Sequence, residues 1–291
     1  MNRERVLSYV LIFLLLFCAV SSVYLIRSKE RGARIAKPKI GVVNIYGTIS
    51  VPSRTTYIFG LRGSDRVVQQ LRDLRRMNVR AVVLRINSPG GTLGACQEIV
   101  EEIKKLKEEK IPVVASCGDI AASGGYYIAS VCDKIVLNPG TITGSIGVLM
   151  GTSNFEELLK KIGIEPEVIK SGKYKDMGSI YRALSDEERK LLQELVDETY
   201  NQFLRTVSEG RKIPVGELLP LAQGQIFTGE QAIKYKLADK IGNLNTSLEV
   251  AKKLAGIKGE VQIIENPMPL ERFLGIFYDG AEVLAKLSEI L

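Results

Sequence analysis

Short apolar, β-branched runs alternate along this chain with segments whose apolar residues return every third or fourth position. Lys39–Gly47 (KIGVVNIYG), Ala81–Asn87 (AVVLRIN), Ile111–Cys117 (IPVVASC) and Lys134–Leu137 read as strands, the later ones buried on both faces. Between the first two, Ser64 can cap a helix running to about Met77, with Val67, Val68, Leu71 and Leu74 on one face. Thr92 opens a second helix to about Lys110. A small-residue turn after Cys117 leads into a third helix at Ser123. Strands alternating with helices through short connections predict βαβ units and a largely parallel sheet. One connection is longer: Thr48–Gly63 is a loop of about sixteen residues, a length that points to function or mobility.

The second half reads as more helical. Asn154 can cap a segment to Ile162, and Glu167–Lys170 is predicted to be a short strand. Ser185-Asp-Glu-Glu188 is a capping box that starts a long helix to about Gly210. Further helices are predicted after Pro214 and over Thr228–Leu237 and Thr246–Leu254, with a strand at Val261–Ile264. Residues 266–291 form an amphipathic tail in which Phe273, Ile276, Phe277, Val283, Leu284 and Leu287 recur at helical spacing. Nothing between residues 39 and 265 marks an interdomain linker, so those residues are read as one α/β domain.

Charge changes the reading of the N-terminus. The chain of 291 residues carries a net charge of +7. Residues 1–39 hold eight Lys and Arg against Glu4 and Glu30, so almost all of the surplus lies there. A nucleic-acid footprint would persist in the folded domain; this one points to a membrane surface. Val6–Ile26 contains no charged residue, and about 21 residues of helix span roughly 30 Å, the thickness of a bilayer core. Residues 1–26 are therefore read as an uncleaved anchor and 27–38 as a basic linker, the alternative being a cleaved signal peptide with an apolar stretch at Val6–Phe17. The positive-inside rule, taken alone, puts the large domain in the cytoplasm.

The candidate chemistry rests on an absence. There is no histidine in the chain. Ser123, in Asp119-Ile-Ala-Ala-Ser-Gly-Gly-Tyr-Tyr127, sits as a nucleophile would, on a small-residue turn before an apolar run. Its base cannot be a histidine of this chain and is most simply a lysine, which must lose its proton although free lysine has a pKa of about 10.4. The segment Ile169-Lys-Ser-Gly-Lys-Tyr-Lys-Asp176 offers Lys170, Lys173 and Lys175, and the residues alone do not choose among them. Asn87-Ser-Pro-Gly-Gly91 and the turn at Ser123 both follow strands, where ligand sites gather in parallel sheets. The N–H of Gly124, with that of Gly90 or Gly91, can form an oxyanion hole. Cys18, Cys96, Cys117 and Cys132 show no metal spacing and, Cys18 apart, read as buried free thiols. No metal, nucleotide or organic cofactor is indicated.

Four motifs in order, Asn87-Ser-Pro-Gly-Gly91, Ser123-Gly-Gly-Tyr-Tyr127, Thr143-Gly-Ser-Ile-Gly147 and Ser171-Gly-Lys-Tyr-Lys-Asp176, resemble the signature of the signal peptide peptidase A family. The resemblance covers roughly residues 39–245, including Gly224-Gln-Ile-Phe-Thr-Gly229, and is to the short, single-repeat form. It implies a ClpP/crotonase-like fold and a membrane-anchored Ser-Lys peptidase. It makes Ser123 the nucleophile, Lys175 the general base, Ser145 the serine that orients the lysine, and Gly91 (or Gly90) and Gly124 the oxyanion donors. The 52-residue interval from Ser123 to Lys175 fits the family pattern. It further implies peptide substrates with small or apolar side chains, such as released signal peptides. It also implies a ring-like homo-oligomer in which Ser and Lys can come from neighbouring subunits. The family's topology places the catalytic domain outside the cytoplasm, against the charge rule, and is followed here. Two rival expectations are a crotonase-like acyl-CoA enzyme, which needs no Ser-Lys pair, and a non-catalytic membrane-anchored scaffold.

Overall fold

The computed structural model describes residues 37–51 and 63–265, with Phe17. The predicted anchor Val6–Ile26 (Phe17 apart), most of the Thr48–Gly63 loop and the amphipathic tail lie outside the described residues. Among those described, no helix is long and apolar enough to cross a membrane.

Three β-branched strands, β1 (Lys39–Tyr46), β2 (Ala81–Ser88) and β3 (Val113–Ala122), pair in parallel and form the centre of an eight-stranded sheet. α1 (Gly63–Arg76) and α2 (Leu93–Glu108) make the two crossovers. Both lie on one face, where Leu71, Leu74, Ile99 and Ile103 close over Val43, Ile45, Leu84 and Ile86. The periodicity that predicts these helices is the periodicity that is buried. The opposite face is apolar near the strands' starts. There Ile40, Val42, Ala81, Val83, Val114 and Val136 form a smaller cluster with Ala251 of α8 (Leu244–Leu254). Strands buried on both faces read as continuous apolar runs.

β3 runs five residues beyond the predicted strand. The segment expected as a turn, Gly118–Ala122, continues the strand after a register shift opposite Ile86–Ser88. Asn87 holds that irregularity: its Oδ1 accepts from the N–H groups of Asp119 (3.1 Å) and Ile120 (3.0 Å). The shift splits the sheet. The first half of β3 pairs with β4 (Lys134–Leu137), which continues to β7 (Lys240–Ile241). The second half pairs with β5 (Ile142–Gly144), which meets β6 (Ile226–Phe227) antiparallel. At the other edge β8 (Gln262–Glu265) lies parallel to β1.

The Ser123 helix is α3 (Gly124–Ser130), entirely buried. α4 (Glu156–Lys161) begins beside Asn154, whose Oδ1 accepts from Glu156 N–H. α5 (Asp186–Arg211) starts at the predicted capping box, with Ser185 and Glu188 bonded reciprocally, and buries Phe203, Leu204 and Val207. α6 (Val215–Leu218) follows Pro214, and α7 (Gly229–Lys234) is capped by Thr228. α8 begins two residues earlier than predicted, because Asn243 is the cap and Thr246 its capping-box partner.

The expected strand Glu167–Lys170 is not formed. Residues 164–170 have no regular structure and pair with no strand among the described residues. They belong to an excursion, residues 149–184, in which no residue is buried. It folds back on itself, with Phe155 N–H donating to Ile180 O and Ala183 N–H to Glu156 Oε2.

Candidate active site

Ser123 occupies the sharp turn between β3 and α3. Its φ of 51° and ψ of −121° lie where a non-glycine residue is strained by about 1–3 kcal/mol. Two backbone bonds hold it: Ser123 N–H donates to Gly144 O (2.9 Å), and Ser123 O accepts from Tyr127 N–H (2.8 Å). The residues after it must be small. A Cβ on Gly124 would lie 2.7 Å from Cys96 Sγ, and one on Gly125 would lie 2.9 Å from Ser88 O. Helix α3 thus starts pressed against the end of β2, leaving Ser123 half-buried at the surface.

The second glycine turn lies against this serine. A Cβ on Gly90 would meet Ser123 Cβ at 2.8 Å and Ser123 Oγ at 3.1 Å. Gly90 has a φ of +115°, which suits glycine. Its N–H donates to Ser88 Oγ (3.1 Å) and its carbonyl accepts from Ile49 N–H (2.9 Å). Gly91 forms a parallel bridge with Ile49, and a Cβ there would fall 1.8 Å from Ile49 O. The residues alone leave Gly90 and Gly91 as alternative donors; the structure separates them. The N–H of Gly90 is engaged, whereas those of Gly91 and Gly124 bond to nothing among the described residues. A Cβ on Gly124 would lie 3.0 Å from Gly91 N, so these two open amides sit beside each other next to the hydroxyl. Two neighbouring donors beside a hydroxyl can stabilise the negative charge of a tetrahedral adduct if both point at its oxyanion.

Ser145 stands on the same side. It follows Gly144, the residue whose carbonyl takes Ser123 N–H, and has a φ of 51°. Its N–H donates to Gln225 O (2.8 Å), which fixes the turn to the strand carrying Phe227. Ser123, Gly90, Gly91, Gly124 and Ser145 are thus gathered at one end of the sheet.

Among the described residues of the single chain, Lys175 makes no bond to these residues. It lies exposed on the 149–184 excursion, and no hydrogen bond joins it to Ser123 or Ser145 among the described residues. The structure does distinguish the three lysines. Lys170 Nζ binds Asp176 Oδ1 at 2.6 Å. Lys173 pairs with Glu187, and that bond raises its pKa, which opposes the neutral form a base needs. Lys175 makes no ion pair among the described residues.

Cys96, Cys117 and Cys132 are buried free thiols. Burial pushes Cys96 and Cys117 up to about 12, so both stay protonated and unreactive at neutral pH. Cys96 acts instead as packing behind Gly124.

Three supporting residues escape a reading of the sequence alone. Asn87 braces β3, Ile49 braces Gly91, and the fully buried Ser88 engages Gly90. Only the polarity of Asn87 and Ser88 at the end of an apolar strand hints at such work. Ser88→Ala leaves the buried Gly90 N–H without its acceptor, at a cost of about 1–3 kcal/mol. We expect that loss in a urea titration, and a fall in kcat of roughly tenfold as the turn loosens beside Ser123.

A helix-flanked, mostly parallel sheet with two glycine turns meeting at one end is a mixed α/β fold, consistent with the ClpP/crotonase-like architecture. Residues 105–258 match the model of peptidase family S49, a stretch that includes Ser123, Ser145 and Lys175. The chain belongs to peptidase family S49 and is a protease. It is 43% identical to a putative protease of Synechocystis sp., covering 82% of this chain and 83% of that one. It is 37% identical to a putative signal peptide peptidase SppA of Enterococcus faecium, over 77% of this chain and 65% of that protein. Among solved structures, a point mutant of the membrane-bound stomatin-specific protease 1510-N matches with a TM-score of 0.52 at 18% identity. That match covers 81% of this chain and 100% of the other, and shows the shared fold.

Proposed function

We propose that the chain is a membrane-anchored serine endopeptidase in which Ser123 is the nucleophile and Lys175 the general base. The observation that carries this reading is the strained Ser123 turn with the open amides of Gly91 and Gly124 beside it. Neutral Lys175 takes the Ser123 hydroxyl proton as Oγ bonds to the peptide carbonyl carbon. The resulting oxyanion rests on the two glycine amides. Its collapse breaks the C–N bond, and the Lys175 ammonium protonates the departing amine. Lys175 then deprotonates a water that adds to the acyl ester; collapse breaks the acyl C–Oγ bond, and the Lys175 ammonium returns that proton to Ser123 Oγ, freeing the acid product and restoring neutral Lys175. Ser145 holds the amine toward Ser123.

The dyad is completed between subunits of a homo-oligomeric ring. In support, the excursion carrying Lys175 exposes a run of large apolar residues. Leu149 is 90% exposed, Ile169 94% and Ile162 59%. Apolar surface of this extent is expected to be covered by a partner, and a second copy supplies it. Burial there also provides the desolvation that favours a neutral lysine.

Residues 1–26 hold the enzyme in the membrane with the catalytic domain outside the cytoplasm. The substrates are extended peptides with small or apolar side chains, signal-peptide remnants foremost; no metal or cofactor takes part. The test is hydrolysis of an apolar signal-peptide sequence by the purified full chain in detergent, with light scattering to size the particle. Cleavage by an oligomer supports the reading. Cleavage by a monodisperse monomer rejects the shared dyad, and no cleavage of any peptide rejects the substrate class.

A further inference from the structure

We propose that Arg182 is a positioning residue for the base: it ties the residue after Lys175 to the buried Glu188 in the first turn of α5 and balances the charge around the lysine. The inference rests on the assignment of Lys175 given above. Arg182 is seven residues from Lys175 and touches neither Ser123 nor the glycine amides. Its Nε and one terminal nitrogen bind Asp176 at 2.9 and 2.8 Å. Its other terminal nitrogen binds Glu188 Oε2 at 2.8 Å. Glu188 is 3% exposed and belongs to the capping box with Ser185. Helix α5 is anchored in the core through Phe203, Leu204 and Val207. The chain of contact therefore runs from rigid helix to Glu188, to Arg182, to Asp176, the neighbour of Lys175. A planar guanidinium can hold two carboxylates at once, which an ammonium cannot do in the same geometry.

No residue of the excursion is buried, so polar contacts such as this clamp hold it to the helix. A second hold lies on the other side of Lys175, where Lys173 and Tyr174 both donate to Glu187. The charges around the lysine are matched. Three cations, Lys170, Lys173 and Arg182, face three carboxylates, Asp176, Glu187 and Glu188. From α4, Glu156 accepts Ala183 N–H and is itself paired with Lys160. Among the described residues Lys175 is left without a carboxylate of its own, the arrangement a base that must lose its proton requires.

The carboxylates do not titrate where a lysine base works. Arg182, then the Ser185 N–H, lowers Glu188 to about 2, and Arg182 with Lys170 holds Asp176 well below the usual range. A lowered carboxyl contributes fully above its ordinary value and is lost only as pH falls toward the lowered one. The clamp is thus intact from about pH 5 upward, and the ascending limb of a rate profile belongs to another group.

The experiment is kcat/KM against pH for peptide hydrolysis by the assembled full chain, comparing wild type with R182A, R182Q, R182K and R182A/D176N. R182A and the bulkier R182Q are expected to lower kcat about tenfold near neutral pH. Both are expected to move the ascending limb up by about half to one pH unit, because a carboxylate is left uncompensated near Lys175. R182K is expected to keep the limb near wild type while kcat stays low, and D176N in the R182A background to bring the limb back. A merely structural loss would depress the rate equally at every pH. If R182A fails to assemble, R182Q decides. A wild-type limb or a wild-type rate in R182Q overturns the proposal provided K175A is inactive; an active K175A overturns the dyad instead.

Discussion

Ser123→Ala and Lys175→Ala are each expected to lower peptide hydrolysis by about 10⁴-fold or more while the thermal midpoint moves little. The first removes the hydroxyl that the structure places beside the open amides of Gly91 and Gly124. The second removes the one lysine of its segment that makes no ion pair among the described residues. Both side chains are solvent-accessible in the single chain, so neither truncation opens a cavity. Ser123→Ala also keeps the two bonds that hold the turn, since both run through backbone. The controls are Lys170→Ala and Lys173→Ala. Each breaks an ion pair beside Lys175 and, assayed at a pH above the ascending limb, is expected to retain activity within a few-fold. Steady-state hydrolysis of a peptide, with a melting curve for each variant, checks the set. A dead Lys170→Ala beside an active Lys175→Ala would transfer the role of base without changing the class of enzyme.

Gly91→Ala is expected to cost both activity and stability, and more of each than Gly124→Ala. The added methyl on Gly91 would fall on a backbone oxygen, Ile49 O, at 1.8 Å, so the bridge to Ile49 must open and the amide must move. Losing one oxyanion donor typically lowers kcat by about 100- to 1000-fold. Gly124→Ala meets a side chain first, Cys96 Sγ at 2.7 Å. Trimming that side chain makes room, so Cys96→Ala is expected to restore part of the activity lost in Gly124→Ala and none of that lost in Gly91→Ala. Single-turnover kinetics with chemical denaturation separates the two effects. Equal rescue of both variants would mean that the amides are not positioned as described.

How much of this could be read from residues alone depends on where the determining contact lies. β1, β2, β4, α1, α2 and α5 were legible because each is specified by its own periodicity or capping box. β5, β6 and β7 were not: two or three residues long, each is defined by a partner far along the chain, β5 by the second half of the forked β3, β6 by β5 and β7 by β4. The same fork explains why Gly118–Ala122 reads as a turn and folds as a strand. Val168 and Ile169 suggested a strand through their apolarity, yet they are 48% and 94% exposed. Apolarity reads as burial, but this segment finds no partner strand among the described residues. At the site, glycine turns and the serine announce themselves in sequence. The choice between Gly90 and Gly91 does not, because it is made by Ser88, a hydrogen bond no periodicity encodes. The three lysines are alike as residue types and differ only in which carboxylates fold back onto them.

Mass spectrometry of the full chain after treatment with a fluorophosphonate or peptide-aldehyde probe asks the central question most directly. Covalent modification of Ser123 in the wild type, and its loss in Lys175→Ala, is the predicted result. Undiminished labelling of Ser123 without Lys175, or an adduct on a different residue, would contradict the pairing of this hydroxyl with this amine.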